Sequence, residues 1–431
     1  MISAFFIKDA AKFVGKEVEI KGWIYNKRSS GSLHFLQIRD GSGFIQGTVI
    51  KGEVPEKLFN EIKELTIDSA VTVKGIVRED KRAPEGLELT VKDLRVVSLS
   101  QDFPIGKKEH GPDFLLTNRH LWLRSKKQWA ILRIRNQIII SINDFLLKNG
   151  YIKIDSPMIT PSASEGTTTL FELDYFGKKV FLSQSGQLYL EAAIYSFGKV
   201  FDFGPVLRAE KSKTRRHLIE FWMMYAEAAF VDLNGILEVE EKLIQAIIND
   251  VLRNCEKELK ILERDTSLLK NINVPFPRLT YDKTIKKLQE LGSDIKWGTD
   301  FGNDDETILM NHYKTPLFVT HYPAHVKAFY TKKKSGEEKL SLSADLLAPE
   351  GYGEIIGGGQ REDDYEKLLA EIKKHNYNLD DYSWYLDLRK YGSVPHSGFG
   401  VGLERLVAWI CKLEHVRESI PFPRLLERIS Q

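Results

Sequence analysis

Residues 206–222 read VLRAEKSKTRRHLIEFW, a charged loop flanked by two apolar runs. From Arg208 to Arg216 this loop has five Lys and Arg residues against one acid, Glu210, and His217 follows directly. Cations at this spacing repel one another, so the loop suits an anionic partner such as a triphosphate or an RNA backbone. An exposed basic hairpin is the alternative on charge alone. Both interpretations predict a strand on each side of the loop.

The sequence around this hairpin alternates between helical and extended patterns. Residues 126–149 have apolar residues at helical spacing, and Gly150 is placed to end that helix. The other predicted elements are strands within 180–230, a helix over 233–262 with Asp232 as its N-cap, strands over 340–347, 353–359 and 396–401, and a helix over 402–413. This irregular order predicts an α+β domain built on an antiparallel sheet flanked by helices.

Residues 1–100 contain five short β-type runs with turn-rich segments between them. The runs are Glu17–Ile24, His34–Ile38, Phe44–Ile50, Ala70–Val77 and Leu87–Ser98, with one helical stretch, Glu56–Leu65, after the third. This pattern predicts a five-stranded barrel of the OB type. Arg28, Phe35 and Gln46 would place a cation, a ring and an amide on one face, as single-stranded nucleic acid requires. Alternatively, Phe35 belongs to the barrel core and Arg28 is a solvated surface charge.

Two segments have weaker patterns. Residues 101–125 lose periodicity and are predicted to form a linker. Residues 265–338 are lysine-rich and are predicted to be a less regular insertion. The predicted organisation is therefore a barrel over 1–100, a linker over 101–125 and a second domain over 126–431.

Composition limits the class of protein. Lys and Arg total 62 and Asp and Glu total 60, a net charge of +2, so no overall excess of charge indicates a polyanionic partner. The two cysteines, Cys255 and Cys411, are too few for a disulfide framework or a thiolate zinc site, which favours a reducing compartment. The first residues, MISAFFIK, lack a signal-peptide pattern, and 18 consecutive apolar residues occur nowhere. We therefore expect a cytoplasmic protein that is not embedded in a membrane.

Two later segments have features typical of a phosphate site. Residues 397–406, SGFGVGLERL, place alternating glycines after a strand and Arg405 in the first turn of a helix, without the Lys-Ser/Thr ending of a P-loop. Asp345 and Glu354 precede the glycine run 357–359. Carboxylate oxygens suit Mg²⁺ bridging phosphates, and the glycines leave room for a ligand.

Together these segments resemble the class II aminoacyl-tRNA synthetases. Their motif 2 is similar to 208–221, with Arg208-Ala209-Glu210 before the variable loop and Arg216-His217-Leu218 after it. Their motif 3 is similar to 398–405, and their motif 1 to the helix before Gly150 with Pro157. These matches place motif 1 at about 126–160, motif 2 at about 200–230 and motif 3 at about 396–413. The ending VRESIPFPR, 416–424, resembles the aspartate, asparagine and lysine subgroup, which has an N-terminal OB-fold. The resemblance spans nearly the whole chain and favours the nucleic-acid interpretation of the barrel.

The resemblance implies roles for ATP and Mg²⁺. Arg208 would bind the α-phosphate, Phe221 would stack on adenine, and Arg405 would bind the γ-phosphate with His217. Arg208 and Arg405 are the implied catalytic residues. The implied ATP site consists of Arg208, Glu210, Arg216, His217, Phe221, Glu354, Gly402 and Arg405, and the implied Mg²⁺ ligands are Asp345 and Glu354.

The resemblance also implies an amino-acid site. Its residues would be Ser164, Glu165, Gln187, Leu190, Tyr225 and Arg361. Aspartyl enzymes have a lysine at the position of Leu190, and a neutral amide would leave such a lysine uncompensated, so Leu190 favours asparagine. Asparaginyl relatives have a glutamate at the position of Tyr225, whose hydroxyl would accept from the amide instead.

The implied activity is ATP-dependent attachment of asparagine to tRNA(Asn) through an asparaginyl-adenylate, by a homodimer paired through motif 1. Arg28, Phe35 and Gln46 would contact the anticodon, with Phe35 and Gln46 on its central uridine. The alternatives are an aspartate-tRNA ligase, including one that accepts both tRNAs, and a tRNA-independent asparagine synthetase, whose relatives lack the barrel. A non-catalytic RNA-binding relative would have no need of Arg208, Glu354 and Arg405 together.

Overall fold

The computed structural model describes residues 5–106, 108–164 and 169–429. The chain divides into two compact units, residues 1–110 and 111–431. Glu165, one of the predicted amino-acid-binding residues, lies outside the described residues.

The first unit is a closed five-stranded barrel with strand order β1-β2-β3-β5-β4. Its elements are β1 (Glu17–Ser30), β2 (Leu33–Arg39), β3 (Phe44–Ile50), helix α1 (Glu56–Glu61), β4 (Ala70–Glu79) and β5 (Leu87–Ser98). Alternate residues of β2 point inward, so Leu36 and Ile38 are fully buried while Phe35 and Gln37 lie on the outer side. The predicted OB-type barrel is confirmed.

The second unit is built on an eight-stranded sheet in the order β12-β13-β16-β17-β18-β11-β10-β6. Its strands are β6 (Ile152–Lys153), β10 (Lys199–Leu207), β11 (Glu220–Ala229), β12 (Arg278–Thr280), β13 (Leu317–Thr320), β16 (Ser343–Ala348), β17 (Gly353–Gln360) and β18 (His396–Gly402). Neighbouring strands are antiparallel except at the two edges, where β12 pairs with β13 and β6 with β10 in parallel. The predicted α+β fold on an antiparallel sheet is therefore confirmed.

Helices and small sheets complete this unit. The helices are α2 (Pro112–Thr117), α3 (Arg119–Trp122), α4 (Lys126–Lys148), α5 (Gln187–Phe197), α6 (Leu233–Asn254), α7 (Glu256–Ile261), α8 (Ser267–Lys270), α9 (Tyr281–Glu290), α10 (Asn303–Met310), α11 (Tyr365–Lys374), α12 (Leu379–Lys390) and α13 (Leu403–Cys411). The small sheets consist of β7 (Ile159–Thr160), β8 (Glu172–Tyr175) and β9 (Lys178–Leu182), and of β14 (Lys333–Lys334) and β15 (Glu337–Ser341). In the described part of the chain, we find no helix with the length and apolar character needed to cross a membrane.

The large sheet is buried beneath helices. The apolar stripe of α4 packs in the main core together with α6 and α13, through residues such as Ile138, Ile247 and Trp409. Asp232 caps α6 as predicted, since its side chain accepts from the backbone N–H of Gly235 at 2.9 Å.

The structure differs from the sequence-based expectations in four places. The second half of the predicted linker, 101–125, forms α2 and α3, and Arg119 is buried there with its guanidinium on the carbonyls of Ile420 and Pro421. The strand-like region 180–230 also contains α5. The long helix over 233–262 is interrupted at Cys255. The insertion 265–338 is regular, because β12 and β13 extend the main sheet.

Candidate active site

A cavity of about 220 Å³ lies where β11, β16, β17 and β18 meet the start of α13. Its lining includes Gln187, Arg208, Glu210, Arg216, His217, Phe221, Met223, Tyr225, Lys327, Tyr330, Asp345, Glu354, Arg361, Gly402, Glu404 and Arg405. Five of its lining residues are Lys or Arg and four are Asp or Glu. The charges in this small space are therefore nearly balanced.

The hairpin β10–β11 supplies a cation above a ring. The backbone N–H of Arg208 donates to the carbonyl of Ile219 at 2.9 Å, which closes the base of the charged loop. The guanidinium of Arg208 lies 5.4 Å from the centroid of the Phe221 ring. A planar base stacked on Phe221 would therefore place the phosphates attached to it close to a fixed cation.

His217 lies at the end of the same loop. Its Nε2 is 3.6 Å from a carboxylate oxygen of Glu210, and the hydroxyls of Ser212 and Thr214 lie at its Nδ1. Burial, and then the positive charge of Arg405, lowers the pKa of His217 below its ordinary value. The imidazole is therefore neutral at pH 7.

Arg405 joins α13 to β17. Its Nη1 donates to the backbone carbonyl of Glu354 at 3.0 Å and lies 3.5 Å from Oε2 of the same residue. Side-chain exposures of 28% for Arg405 and 39% for Glu354 leave both charged groups accessible from the cavity. A ligand can therefore compete for either of them.

Asp345 and Glu354 face one small space. A Cβ at Gly357 would lie 2.7 Å from Oε1 of Glu354 and 3.5 Å from Oδ1 of Asp345, so the missing side chain leaves this space open. The other oxygen of Asp345 accepts from Lys327 Nζ at 2.6 Å. Burial raises the pKa of Asp345 to about 6, against the opposite effect of Lys327.

The donor set of this space fits Mg²⁺. In the part of the chain that the structure describes, no three His, Cys, Asp or Glu side chains form a metal cluster. Mg²⁺ does not require one, because it is commonly held by one or two carboxylates together with water and substrate phosphates. Asp345 and Glu354 are placed to supply those carboxylates.

Arg216 is held from outside the loop by α10. Its Nη1 donates to Oε2 of Glu306 at 2.6 Å, and the guanidinium is 5% exposed. Burial, and then the negative charge of Glu354, raises the pKa of Glu306 to about 7. The insertion therefore contributes a buried acid behind the cavity, which the sequence analysis did not identify.

The opposite end of the cavity is built around Arg361. Its Nε donates to both carboxylate oxygens of Glu227, at 3.2 and 3.3 Å, and its Nη2 also bonds this carboxylate. Both side chains are at most 5% exposed. Although burial alone would lower the pKa of Arg361, Glu227 raises it, so the arginine stays charged within a neutral pair.

Tyr225 forms another wall at this end. Its ring lies against Gly400, where a Cβ would come within 2.6 Å of the ring, and its hydroxyl donates to the carbonyl of Gln184 at 3.4 Å. Leu190 does not line the cavity; it is fully buried in a small apolar cluster that includes Tyr225. The side chain of Leu190 therefore packs behind Tyr225 and adds no charge there.

Gln187 is fixed by a fully buried ionic network. Its Nε2 donates to Glu191 at 3.1 Å, one helical turn further along α5. Glu191 also accepts from Arg389 at 2.6 Å, pairs with His396 at 3.0 Å and accepts from the Tyr385 hydroxyl. This network holds the first turn of α5 against α12 and β18.

The structure brings most predicted site residues together. Those that line the cavity are Arg208, Glu210, Arg216, His217, Phe221, Gln187, Tyr225, Asp345, Glu354, Arg361, Gly402 and Arg405. Ser164 is buried, with its N–H directed to Gln184 Oε1 at 3.3 Å, and is not part of the lining. Sequence reasoning missed Glu227, Glu306 and Lys327. Of these, only Glu227 had a local signal, since it follows Tyr225 by two residues on one strand and therefore shares its face.

The barrel presents the predicted face on its outer side. The guanidinium of Arg28 lies 5.9 Å from the centroid of the Phe35 ring, and the two residues are cross-strand partners. Phe35 is therefore not a core residue. Gln46 Nε2 donates to Glu88 at 2.7 Å, and Arg78 Nε donates to the same carboxylate at 3.0 Å. Glu88 and Arg78 extend this face beyond the predicted residues.

Comparison with protein families identifies both units. Residues 111–426 match the model described as tRNA synthetases class II (D, K and N). Residues 18–97 match the model described as an OB-fold nucleic acid binding domain.

Individual relatives cover the whole chain. It is 52% identical over 423 residues to an asparagine--tRNA ligase of Desulforamulus reducens, with 98% of each sequence covered. It is also similar to asparaginyl-tRNA synthetase of Pyrococcus horikoshii complexed with asparaginyl-adenylate, with 45% identity, a TM-score of 0.96 and complete coverage of both chains. The Entamoeba histolytica asparaginyl-tRNA synthetase in complex with asparaginyl-adenylate has 34% identity and a TM-score of 0.91, again with complete coverage of both chains.

Proposed function

Because the chain belongs to the class II tRNA synthetases of the D, K and N group, we propose that it attaches asparagine to tRNA(Asn) with ATP, through an asparaginyl-adenylate. The observation that carries this proposal is one cavity that is lined by Arg208 and Phe221 at one end and by Arg361, which is paired with Glu227, at the other. One end suits a nucleotide, and the other suits a small polar side chain.

The first step joins asparagine to the α-phosphate of ATP. The substrate carboxylate attacks phosphorus and pyrophosphate leaves, so no protein base is needed, because the attacking carboxylate is already ionised. The protein's contribution is to align the reactants and to stabilise the negative charge that develops on phosphorus. Arg208 and Arg405 are the catalytic residues in this proposal, since both present cations in the cavity. Phe221 stacks on adenine, Glu210 accepts from its amino group, and His217 binds the γ-phosphate.

Mg²⁺ would be held by Asp345 and Glu354, whose oxygens face the space above Gly357. Bound there, the ion would neutralise phosphate charge. Arg405 shares Glu354 with this position and is therefore oriented toward the same phosphates.

Charge balance at the amino-acid end supports asparagine. Arg361 is already paired with Glu227, and Leu190 places no cation behind Tyr225. The carboxylate of an aspartate side chain would add a negative charge beside this pair without a free cation to offset it. The amide of an asparagine side chain adds no charge. We place the side-chain amide between Arg361 and Tyr225, with Gln187 at the α-ammonium end.

The second step transfers the asparaginyl group to a terminal ribose hydroxyl of tRNA. The outer face of the barrel supports recognition of the anticodon, because Arg28 and Phe35 lie together and Gln46 is oriented by Glu88. Stacking on Phe35 would hold a base, and the amide of Gln46 would contact its edge.

We also propose a homodimer. In the second unit, exposed apolar side chains lie on α4, on the edge strand β6 and in the segment that follows β6. They are Ile140, Leu147, Ile152, Met158 and Ile159. Pro157 lies within this segment. Light scattering coupled to size-exclusion chromatography should give twice the 49.4 kDa mass of the chain. The two free, buried cysteines fit a reducing compartment, so we place the protein in the cytoplasm.

Amino-acid-dependent exchange of pyrophosphate into ATP tests the activity. Asparagine should support exchange and aspartate should not, and the purified protein should then charge tRNA(Asn). Exchange that aspartate supports and asparagine does not would identify an aspartate-tRNA ligase instead. Formation of asparagine from aspartate and ammonia without tRNA would instead identify an asparagine synthetase.

A further inference from the structure

The helix α10 belongs to the insertion 265–338, yet it contacts the charged loop through one arginine. Nη1 of Arg216 donates to Oδ1 of Asn303 at 3.1 Å and to Oε2 of Glu306 at 2.6 Å. Nη2 donates to Oγ1 of Thr307 at 2.9 Å and to the carbonyl of Gly351. The two Nη nitrogens carry four N–H groups, and four protein acceptors are bonded to them. Arg216 is therefore an anchor for the loop.

This anchor lies directly against the backbone that leads to Glu354. Gly353 has φ = +71°, and a Cβ on it would lie 1.9 Å from Oε2 of Glu306 and 2.5 Å from Nη1 of Arg216. Only glycine fits this position, for both conformational and steric reasons. The ion pair therefore fixes the strand start one residue before Glu354.

The same anchor fixes the other side of the phosphate end. His217 follows Arg216 directly in the chain, and Arg215 also donates to the Gly351 carbonyl, at 3.3 Å. The turn that contains Gly351 leads into β17. Glu354 lies at the start of this strand, and its backbone carbonyl accepts from Arg405 on α13. Through Arg216, α10 thus determines the separation between His217 and Glu354.

We propose that Glu306 is a positioning residue for the nucleotide: with Asn303 and Thr307 it fixes Arg216, and so places His217 and Glu354 on opposite sides of the phosphates. The inference rests on the proposed function only for the identity of the ligand, ATP. Without Glu306 the buried guanidinium loses its charged partner, so the loop before His217 and the backbone before Glu354 lose their common anchor. Glu354 would then no longer be held in place for Mg²⁺.

A purely structural role for Glu306 makes a different prediction. If the ion pair only holds α10 on the sheet, its loss lowers thermal stability and affects both substrates alike. If it positions the phosphate end, ATP binding weakens while asparagine binding does not, because the guanidinium of Arg361 is held by Glu227 on β11 and not by the ion pair on α10. The ratio of the two effects separates these roles.

The test compares Glu306→Ala, Glu306→Gln and Thr307→Val with the wild-type protein. The matched control is Asp304→Ala, which removes an exposed acid from the same helix turn. The dissociation constant of MgATP is measured by equilibrium dialysis without amino acid, and KM values for ATP and asparagine are measured by pyrophosphate exchange. We expect Glu306→Ala to raise both ATP constants about tenfold, the scale of losing an outer-shell partner. The asparagine KM should stay within about twofold, as should every constant of Asp304→Ala.

The other variants grade the effect. Glu306→Gln keeps an acceptor oxygen for Arg216 and should restore part of the ATP affinity. Thr307→Val removes one hydrogen bond and should raise the ATP constants about threefold. If Glu306→Ala shows no cooperative melting transition, the Thr307→Val result decides the proposal.

Unchanged ATP binding in a folded Glu306→Ala protein would overturn the proposal, as would equal changes in the ATP and asparagine constants. A wild-type protein that binds MgATP but does not activate asparagine would refute the proposed activity. The dialysis comparison would still test the role of Glu306.

Discussion

The cavity and the outer face of the barrel are both proposed to bind nucleotides, but they use charge differently. In the cavity nearly every cation is held by a carboxylate, in the pairs Arg405–Glu354, Arg216–Glu306, Arg361–Glu227 and Lys327–Asp345. On the barrel face, Arg28 is an exposed cation beside the Phe35 ring, and the neutral amide of Gln46 donates to Glu88, the partner of Arg78. Charge is dense in the first region and sparse in the second.

This difference shows why the net charge of +2 says little about the substrates. MgATP is itself a pairing of cations with anionic groups. If MgATP binds as proposed, Glu354 would turn to the metal and Arg405 to a phosphate. The Arg405–Glu354 ion pair therefore holds a cation at a position where a phosphate could replace the carboxylate. A single-stranded base needs a ring and a hydrogen-bonding edge, which cost no net charge.

The strongest test of the comparison removes the cation above Phe221. Arg208→Ala should lower asparagine-dependent pyrophosphate exchange about 10³-fold, because charge on the α-phosphate would lose its stabilising partner during the reaction. Binding of tRNA should remain nearly intact, since the barrel face is unchanged. Filter binding of tRNA and pyrophosphate exchange measure the two effects.

Lys211→Ala is the control for this variant. Lys211 is an exposed cation of the same loop and does not line the cavity, so exchange should change less than about threefold. Exchange by Arg208→Ala within tenfold of the wild-type rate would show that Arg208 does not have the assigned role.

The reverse test removes the ring from the barrel. Phe35→Ala should lower kcat/KM for tRNA about ten- to a hundredfold, because base stacking on an aromatic side chain contributes about 1–3 kcal/mol. Pyrophosphate exchange without tRNA should keep its wild-type rate. Val97→Ala, at an apolar position of β5 that is 61% exposed, is the control. If Phe35→Ala charges tRNA as well as Val97→Ala and the wild-type protein do, Phe35 does not stack on a base.

Much of both regions is predictable from the sequence, because local patterns encode it. The β10–β11 hairpin follows from two apolar runs around the cationic loop, and Arg208 and Phe221 enter the cavity with it. The barrel strands follow from their short β-type runs and the turns between them, whereas the runs alone left open whether Phe35 lies in the core. Both sets of residues lie on or next to strands with clear patterns.

The remaining parts depend on long-range pairing. Glu306 lies on an eight-residue helix, and Lys327 lies in a loop after the four-residue strand β13. Neither segment has enough periodicity to reveal its position, which is set when β13 pairs with β16 in the main sheet. Helix α5 was not predicted for a different reason: its apolar residues lie within a longer region of strand-like runs.

The smallest expected effect compares one histidine from each region. Burial lowers the pKa of both His217 in the cavity and His34 in the barrel, but for His217 the next cause is the positive charge of Arg405. Phosphates bound beside Arg405 would offset that charge, so MgATP should raise the pKa of His217 and leave that of His34 unchanged. By linkage, MgATP would then bind more tightly as the pH falls through the pKa of His217. NMR titration of histidine-labelled protein, assigned with His217→Gln and His34→Gln, measures both values. Equal shifts, or a lower pKa for His217 in the complex, would mean that the phosphates do not lie beside this imidazole.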